Sequence, residues 1–453
     1  MESVRRDSKI GLRIRKSAGT EKPIARTRTR DTAAQSDFVL SSFRAVVIGG
    51  FKFIAVAALL GSSLHAISAP DEWSINTVRD ARVVGKELRV GPDGIVQWSG
   101  GTGVPLREVV AIERSGSPPS ALDDRPHVLL VSGDRIAGRL IAIERERLRF
   151  LADLGAEQEL TIPLTDVSAV WLTARSAGDS AQPELRRWLA QRRRQDVVRL
   201  ANGDSETGTI VAAAADGAVK LERNRAAAEV PLDRIDALVF GNELARPFRP
   251  RSLTWRMALR QGSRLAMNSL TIDADWAAGE TYFGAMVRFP AADVSRLQVF
   301  GGAAVYLSDL PALREESRPF FGVSWPMMRD RSVTGRDLRL GGGVIDKGLG
   351  LHSAARVSWA VPPGAIRFET LAGLDEATGR LGSATIRITA ADVPLPHGSV
   401  ELAGGQPPKE LRLDLPPGAR ELTIEVELGS GGDVQDHVNL GDARFIVPSA
   451  EKP

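Results

Sequence analysis

A degenerate repeat fills the middle of the chain and constrains the fold more than any other feature of the sequence. Each copy opens with an apolar run broken by Gly-Asp or Gly-Ser, and closes with a proline that leads into another apolar run. The copies span residues 128–170, 197–238 and 257–297, and a partial copy ends with residues 105–112. Recurring units of about 40 residues indicate several small modules that pack in series.

Glycines mark turns and bends inside each copy. Gly133-Asp134 and Gly203-Asp204 lie between apolar runs, which predicts hairpin turns in which glycine adopts a positive φ. Gly138 and Gly208 fall inside the following strand, where glycine indicates a bulge or a sharp bend. No copy places a histidine or a second carboxylate at ligand spacing, so turns are favoured over metal or phosphate sites.

The closing segments predict the last strand of each copy. In the segments 163–167 and 231–235 a proline is expected at the first strand position, where a missing N–H costs least. The resulting unit resembles small SH3-like and Sm-like barrels in its architecture. Between two copies, residues 183–194 predict a short basic helix in a linker.

The first 68 residues differ in composition from the rest of the chain. They hold 12 Lys/Arg against 5 Asp/Glu, so the formal charge of +3 becomes about −4 without them. The Arg-rich stretch, the apolar run 53–60 and the small residues 66–69 predict a disordered basic leader and a cleaved signal peptide. The expected location is the periplasm, the cell surface or the extracellular space. A retained membrane anchor and a cytoplasmic protein with a chance apolar patch stay open as alternatives.

The C-terminal third of the chain is patterned as short strands. Residues 411–415 and 422–428 alternate apolar and polar side chains and are bounded by Pro- or Gly-rich turns. About seven such strands predict a two-sheet sandwich. The predicted class is all-β, with a C-terminal jelly-roll sandwich after repeated SH3/Sm-like modules and a short linker helix. The predicted domains are the leader (1–68), β-rich modules (70–175 and 196–303), the linker (176–195) and the sandwich (304–448).

Four motifs follow one another along this third of the chain. They are Asp-Lys-Gly-Leu-Gly-Leu-His-Ser at 346–353, the segments 371–376 and 382–388, and Gly-Asp-Val-Gln-Asp-His at 432–437. Residues 304–447 resemble the NPCBM family (novel putative carbohydrate-binding module), which is related to family 51 carbohydrate-binding modules on a galactose-binding-like jelly roll. Residues 306–332 also resemble exported planctomycete proteins that pair this module with β-rich N-terminal regions.

The resemblance implies a sugar site at one end of the sandwich. The carbohydrate-binding residues that it predicts are Lys347, His352, Asp436 and His437, together with Trp359. Family members often carry an aromatic residue where this chain has Leu440, so Trp359 or Trp325 would have to supply the apolar plate. Alternatively, His352 only ties loops together by hydrogen bonds.

The sequence predicts no cofactor beyond a possible structural calcium ion. Asp375 and Glu376 are its candidate ligands, since jelly-roll modules of this broad type often hold calcium, and a polar turn is the alternative. The chain has no cysteine. Disulfides, thiolate catalysis and Cys-type zinc sites are therefore excluded.

The predicted function is a non-catalytic carbohydrate-binding or scaffold protein of the cell envelope. The alternative is a glycoside hydrolase that carries the module as an accessory. The short repeats leave no room for a barrel-sized catalytic domain, and no candidate pair of carboxylates stands out. The expected partner is a glycan. No nucleic-acid partner is expected from a mildly acidic mature chain, and a membrane is expected only if the leader is retained.

Overall fold

The computed structural model describes residues 72–79, 83–122, 125–173, 189, 191–215, 217–223, 226–243, 253–318 and 325–448. Strands dominate these residues and none of their helices reaches seven residues, so the predicted all-β class is confirmed. The predicted leader lies outside the described residues, as does most of the predicted linker helix. Within the described ranges, no helix is long and apolar enough to cross a lipid bilayer.

Four modules precede the sandwich, and each has several strands, one turn of 3₁₀ helix and a last strand. Module 1 consists of β1 (Glu72–Thr77), β2 (Val83–Val90), β3 (Ile95–Ser99), β4 (Val104–Pro105), η1 (Leu106–Glu108) and β5 (Val109–Arg114). Module 2 consists of β6 (His127–Leu130), β7 (Arg135–Glu144), β8 (Arg147–Asp153), β9 (Glu157–Pro163), η2 (Leu164–Asp166) and β10 (Val167–Trp171).

Modules 3 and 4 repeat this order. Module 3 consists of β11 (Asp196–Leu200), β12 (Ser205–Ala214), β13 (Ala218–Arg223), β14 (Ala226–Pro231), η3 (Leu232–Arg234) and β15 (Ile235–Val239). Module 4 consists of β16 (Thr254–Leu259), β17 (Arg264–Met267), β18 (Thr271–Ile272), β19 (Trp276–Glu280), β20 (Met286–Pro290), η4 (Ala291–Asp293) and β21 (Val294–Phe300).

The glycines act as the sequence predicts. Gly133 and Gly203 lie in the β6–β7 and β11–β12 hairpin turns with φ of 86° and 93°. Strand β7 pairs with β6 as far as Ala137 and with β8 from Gly138 onwards. A Cβ on Gly138 would lie 2.2 Å from the carbonyl oxygen of Leu151. Only glycine therefore lets the strand bend at this point and change partners.

The closing prolines stand one turn earlier than the sequence predicts. Pro163 and Pro231 are the last residues of β9 and β14, and do not begin the final strands. A single 3₁₀ turn follows each of them before β10 or β15 starts. The reason is that the proline, with φ near −60°, ends the ladder and leads into the turn, so the missing N–H falls at the end of a strand.

The modules associate in pairs through their last strands. β10 runs antiparallel to β15 with Val170 opposite Leu238, and β5 runs antiparallel to β21 with Ile112 opposite Leu297. Each of these residues is the seventh after the closing proline of its own copy. Equivalent residues therefore meet, and each pair of modules has the self-complementary contact of an approximate two-fold axis. All four side chains are fully buried.

The sandwich begins at residue 304. Its first half consists of β22 (Ala304–Tyr306), η5 (Leu307–Asp309), β23 (Arg314–Ser317), β24 (Met328–Arg329), β25 (Leu338–Leu340), β26 (Gly343–Ile345), β27 (Gly348–His352) and β28 (Ala355–Ala360). Its second half consists of β29 (Arg367–Leu374), η6 (Glu376–Thr378), β30 (Ser383–Ala390), β31 (Val393–Ala403), β32 (Lys409–Asp414), β33 (Glu421–Leu428) and β34 (His437–Ile446).

Two sheets face each other across the core of the sandwich. One has the strand order β24-β27-β34-β29-β32 with β22 also paired to β34, and the other has the order β23-β28-β33-β30-β31. The alternation in the sequence decides which side chains face inward. Leu422, Ile424 and Val426 of β33 are fully buried, and they belong to the same core as Leu440 and Phe445 of β34.

The sandwich packs against modules 1 and 4. Tyr306 and Ile446 share a buried apolar cluster with Val78 and Val110 of module 1. Beside this cluster, Asp442 of β34 forms an ion pair with Arg296 of β21 and accepts a hydrogen bond from Gln298 Nε2 at 2.8 Å. The contact between the two parts is therefore both apolar and charged.

Candidate functional site

Two neighbouring strands bring two histidines together at one end of the sandwich. His352 ends β27 and His437 begins β34, and the two residues are opposite each other in the antiparallel pairing. Their ring centroids are 5.7 Å apart. The indole of Trp325 stacks on His352 at 5.2 Å with an interplanar angle of 8° and lies 5.6 Å from His437. We call Trp325, His352 and His437 the rim cluster.

The three rings differ in their access to solvent. His352 is 6% exposed, whereas Trp325 and His437 are half-buried. His352 therefore supports one face of the indole from below, while Trp325 and His437 present part of their surfaces outward. A flat apolar ring beside a hydrogen-bonding imidazole is an arrangement that suits a sugar ring, which has apolar C–H faces and hydroxyl edges.

Burial controls the protonation of His437. Desolvation lowers the pKa of His437 below its ordinary value, and the neighbouring His352 lowers it further, against the opposing effect of Asp375. His437 is therefore neutral near pH 7. A neutral imidazole can donate one hydrogen bond and accept another, which matches the mixed donor and acceptor character of sugar hydroxyl groups.

Asp436 lies behind the rim cluster and does not face solvent. It is 0% exposed, and its Oδ1 accepts a hydrogen bond from the backbone N–H of Ser383 at 2.9 Å. Burial raises its pKa, while Ser383, the Ser353 hydroxyl and His352 act in the opposite direction. Ser353 in turn lies 3.4 Å from His352 Nδ1. The predicted direct sugar contact of Asp436 is corrected: the carboxylate ties the segment before β34 to the start of β30, behind the strand ends that carry the histidines.

Trp359 is also excluded from the site. It is 0% exposed and packs in the core between the two sheets, because its position in β28 faces inward. Leu440 is likewise 0% exposed and belongs to the same core. Neither position can present a plate to a ligand. Of the two tryptophans considered from the sequence, only Trp325 lies at the rim.

Lys347 lies away from the histidines. It precedes the first residue of β27, whereas His352 is the last, and five residues of strand span about 17 Å. The ammonium group is within 2.6 Å of Asp309 Oδ1 and 2.8 Å of Asp330 Oδ2. The prediction that Lys347 shares one site with His352 is therefore wrong. A motif that is continuous in sequence is stretched along a strand, and its two ends reach opposite ends of the sandwich.

The contacts of the two calcium candidates are with protein groups. Asp375 Oδ1 accepts a hydrogen bond from Ala377 N at 2.9 Å, and Oδ2 accepts one from Asn439 Nδ2 at 2.9 Å. Glu376 Oε1 accepts one from Gly342 N at 2.5 Å. The described residues contain no group of three or more His, Asp or Glu side chains that could hold a metal ion. These contacts show that both carboxylates bond within a polar turn, and the calcium site stays a prediction.

Sequence reasoning missed the residues that act on the two histidines from behind the rim cluster. Ser353 joins His352 to the Asp436 loop, and Arg336 acts on the pKa of His437 from another loop. Ser353 follows His352 directly and was within reach of a sequence argument. Arg336 lies far from both histidines in the sequence and carries no motif that marks it.

Comparison with known proteins identifies the sandwich. Residues 303–446 match the family model described as the NPCBM/NEW2 domain, as the sequence motifs predict. Among solved structures, CBM51-2 with GlcNAc and the INT domains of Clostridium perfringens ZmpB is 17% identical with a TM-score of 0.29, covering 41% of this chain and 44% of that one. The chain thus matches less than half the length of that structure.

Two further solved structures are similar. CBM51 from Clostridium perfringens GH95 in complex with methyl-galactose is 21% identical with a TM-score of 0.28, and the match covers 31% of this chain and 99% of that one. The tandem CBM51 modules of a Streptococcus pneumoniae family 98 glycoside hydrolase are 12% identical with a TM-score of 0.28, covering 71% and 88%. No curated protein matches the chain.

Proposed function

We propose, from the NPCBM/NEW2 match of residues 303–446, that the sandwich binds a carbohydrate at the rim cluster and that the protein is a non-catalytic binding or scaffold protein of the cell envelope. The observation that carries the site is the stacked pair of Trp325 and His352 beside the half-buried His437. The two histidines are held by paired strands, and Trp325 stacks on His352 from the segment before β24. These contacts organise the site before a ligand arrives.

The role of each residue follows from its burial. Trp325 supplies the apolar plate for one face of a sugar ring, and His437 exchanges hydrogen bonds with its hydroxyl groups. His352 fixes the plane of the indole, while Ser353 and Asp436 fix the loops behind it. Only weak contacts with single sugar units are expected from so small a surface, and several adjacent units or copies would be needed for strong retention.

The non-catalytic and exported parts of the proposal have other support. Each of the four small modules consists of short strands and a single 3₁₀ turn. A series of such modules suits a spacer or scaffold. The leader at residues 1–68 supports export, which N-terminal sequencing of the native protein tests: a native chain that begins at Met1 contradicts cleavage.

The carbohydrate site is tested with Trp325→Ala. We expect this change to weaken binding to glycans terminated in galactose or GlcNAc by about tenfold or more, because the plate is lost. Binding is measured on a glycan array and then by titration calorimetry. Trp276→Ala is the matched control, since Trp276 is 38% exposed and lies in module 4.

Two outcomes argue against the site. Equal retention of glycans by the Trp325→Ala variant and the wild-type chain removes the rim cluster from binding. A wild-type chain that retains no glycan at all contradicts the proposed function itself. A melting temperature within about 2 °C of wild type for Trp325→Ala rules out general unfolding as the cause of a loss.

A further inference from the structure

A second, charged cleft lies where the modules meet the sandwich. It has a volume of about 990 Å³ and is bounded by the Ser132–Gly133 turn of module 2, Arg256 and Phe300 of module 4, and parts of the sandwich segments 304–309, 329–337 and 344–347. We call it the junction cleft. Its size falls in the range of small-molecule sites, and such sites occur preferentially where two structural units meet.

The carboxylates of the junction cleft are already engaged. Asp337 accepts hydrogen bonds from both terminal nitrogens of Arg135, at 2.7 and 2.6 Å, and another from Arg331 Nη1 at 2.7 Å. Lys347 lies between Asp309 and Asp330, as described above. Five Arg or Lys side chains and four Asp side chains line the cleft. Behind this lining, Arg264 and the buried Asp134 add one charge of each sign. The negative charges are therefore balanced by protein cations, and one cation is left in surplus.

The guanidinium groups have more donors than the protein satisfies. Arg264, directly behind the cleft, is 1% exposed and its Nε lies 2.8 Å from Asp346 Oδ1. Its two terminal nitrogens have no hydrogen-bond acceptor among the described residues. Arg256 Nη2 donates to the Ser132 carbonyl at 2.7 Å and lies 3.5 Å from Asp134 Oδ1, but its Nε also has no acceptor there. Each guanidinium has five N–H donors, so donors without an acceptor remain in the wall of the cleft.

The charge environment agrees with this surplus. The pKa of Arg264 is lowered by burial first, and then by Arg135 and Arg256 against the effect of Asp346 and Asp337. The pKa of Arg331 is also lowered, by burial and by Arg135. The neighbouring guanidinium groups therefore repel one another, and an added negative charge would reduce this repulsion.

We propose that the junction cleft binds an anionic saccharide, whose carboxylate or sulfate group lies against Arg256, while the buried Arg264 behind the cleft adds positive charge. Oxyanions accept paired hydrogen bonds from guanidinium groups, which neutral sugars cannot match. The carboxylates of the cleft hold the arginines in place by ion pairs, so the donors are oriented in advance. This second site shares no residue with the rim cluster. The preference for an anion rests on the arginines of the cleft, whereas the choice of a saccharide rests on the function proposed above.

The test is calorimetric titration of the full chain with glucuronate and glucose 6-sulfate, with glucose as the neutral analogue. We expect the two anionic sugars to bind and glucose not to bind, with affinity falling as salt is raised. Arg256→Gln is expected to weaken anionic binding about tenfold. Asp309→Asn removes a negative charge whose side chain is 55% exposed, and it is expected to strengthen the same binding severalfold.

The opposite directions of these two variants make the proposal falsifiable even if one of them folds poorly. Trp325→Ala is the control for the rim cluster, and it is expected to leave anionic binding unchanged. Binding of neither anionic sugar, equal binding of glucose, or loss of binding in Trp325→Ala overturns the proposal. So does weaker binding in a folded Asp309→Asn variant.

Discussion

At the scale of single residues, the half-buried His437 couples the rim cluster to pH. Its neighbours are His352 across the strand pair, Asp375 and Arg336. Burial is the largest cause of the lowered pKa of His437, and His352 and Arg336 lower it further against the effect of Asp375. The folded protein therefore resists protonation of this ring more than the unfolded chain does, and the cost of protonation appears as lost stability in acid.

The direction of this effect follows from the lowered pKa. Below about pH 6.5 the unfolded chain binds a proton that the folded protein does not, so the free energy of unfolding falls as the pH falls. The fall ends once the pH is below the folded-state pKa of His437. We expect His437→Asn to flatten this part of the profile, which for one group is at most about 1.4 kcal/mol per pH unit.

The measurement is urea denaturation between pH 7.5 and 5 for the wild type and His437→Asn. The control is His397→Asn, because His397 is exposed on β31. If the wild type and His437→Asn lose stability in parallel across this range, burial of His437 does not control the profile.

Residue-scale chemistry also separates the two tryptophans. Trp325 and Trp359 have the same side chain, and both lie near strands of the sandwich. One stacks on a histidine at the rim, and the other is fully enclosed between the sheets. The identity of the residue therefore does not decide its role; its place in the fold does, because Trp359 faces inward from β28 whereas Trp325 lies in the segment before β24.

At the scale of elements, glycine decides where a strand can leave one pairing for the next. Gly138 has a φ of 150°, and its Cα lies close to the β8 backbone. Gly208 has the same place in module 3, where an added Cβ would lie 2.6 Å from the Glu222 carbonyl oxygen. The bend is what lets a module of short strands close on itself.

Gly138→Ala is therefore expected to destabilise module 2 strongly. An added methyl group would lie 2.2 Å from Leu151 O and 2.9 Å from Ala152 Cα, and backbone atoms cannot move aside cheaply. We expect the free energy of unfolding to fall by about 2–4 kcal/mol. Denaturant titration followed by tryptophan fluorescence measures the change.

Gly217→Ala is the matched control for this prediction. The Cβ at Gly217 would lie 3.8 Å from its nearest neighbour, the Ala214 Cβ, which is ordinary van der Waals contact. We expect a change of less than about 1 kcal/mol there. Equal stability of the two variants would show that the strand can bend without glycine at position 138.

At the scale of the whole molecule, buried charges join the modules to the sandwich. Arg296 of module 4 contacts Asp442 of the sandwich and also Glu113 of module 1, with Nε 3.0 Å from Glu113 Oε1. Asp442 is 8% exposed. A charge that is buried this far is stable only while its partners are in place.

Asp442→Asn removes the charge and keeps the shape of the side chain. Asn also tolerates the positive φ of 50° at this position. We expect a loss of about 3 kcal/mol, because Arg296 keeps only Glu113 as a carboxylate partner. Scanning calorimetry is expected to show one main transition for wild type, and a separate, earlier transition for the variant.

Asp392→Asn is the control at this scale. Asp392 pairs with Arg356 at the surface, where its side chain is 84% exposed, and it also has a positive φ. We expect less than about 0.5 kcal/mol from this change. If Asp442→Asn is as stable as Asp392→Asn, the buried charges do not couple the modules to the sandwich.

The sequence by itself determined the features that depend on neighbouring residues. The Gly-Asp turns of modules 2 and 3, the bends at Gly138 and Gly208, and the alternation in β33 each follow from local conformational preference or from the two-residue period of a strand. The NPCBM-type motifs could also be recognised in order, and the resemblance implied that His352 and His437 lie at one end of the sandwich, where they stand at the ends of two paired strands.

Only the tertiary structure decided the features that depend on distant residues. The choice of Trp325 over Trp359, the engagement of Lys347 with Asp309 and Asp330, the two-fold pairing of β10 with β15, and the junction cleft all require knowledge of which strands lie side by side. A sequence pattern states that a side chain points inward or outward along its own strand. It does not state what lies opposite, because chain segments more than a hundred residues apart, such as Arg135 and Asp337, meet only when the whole core closes.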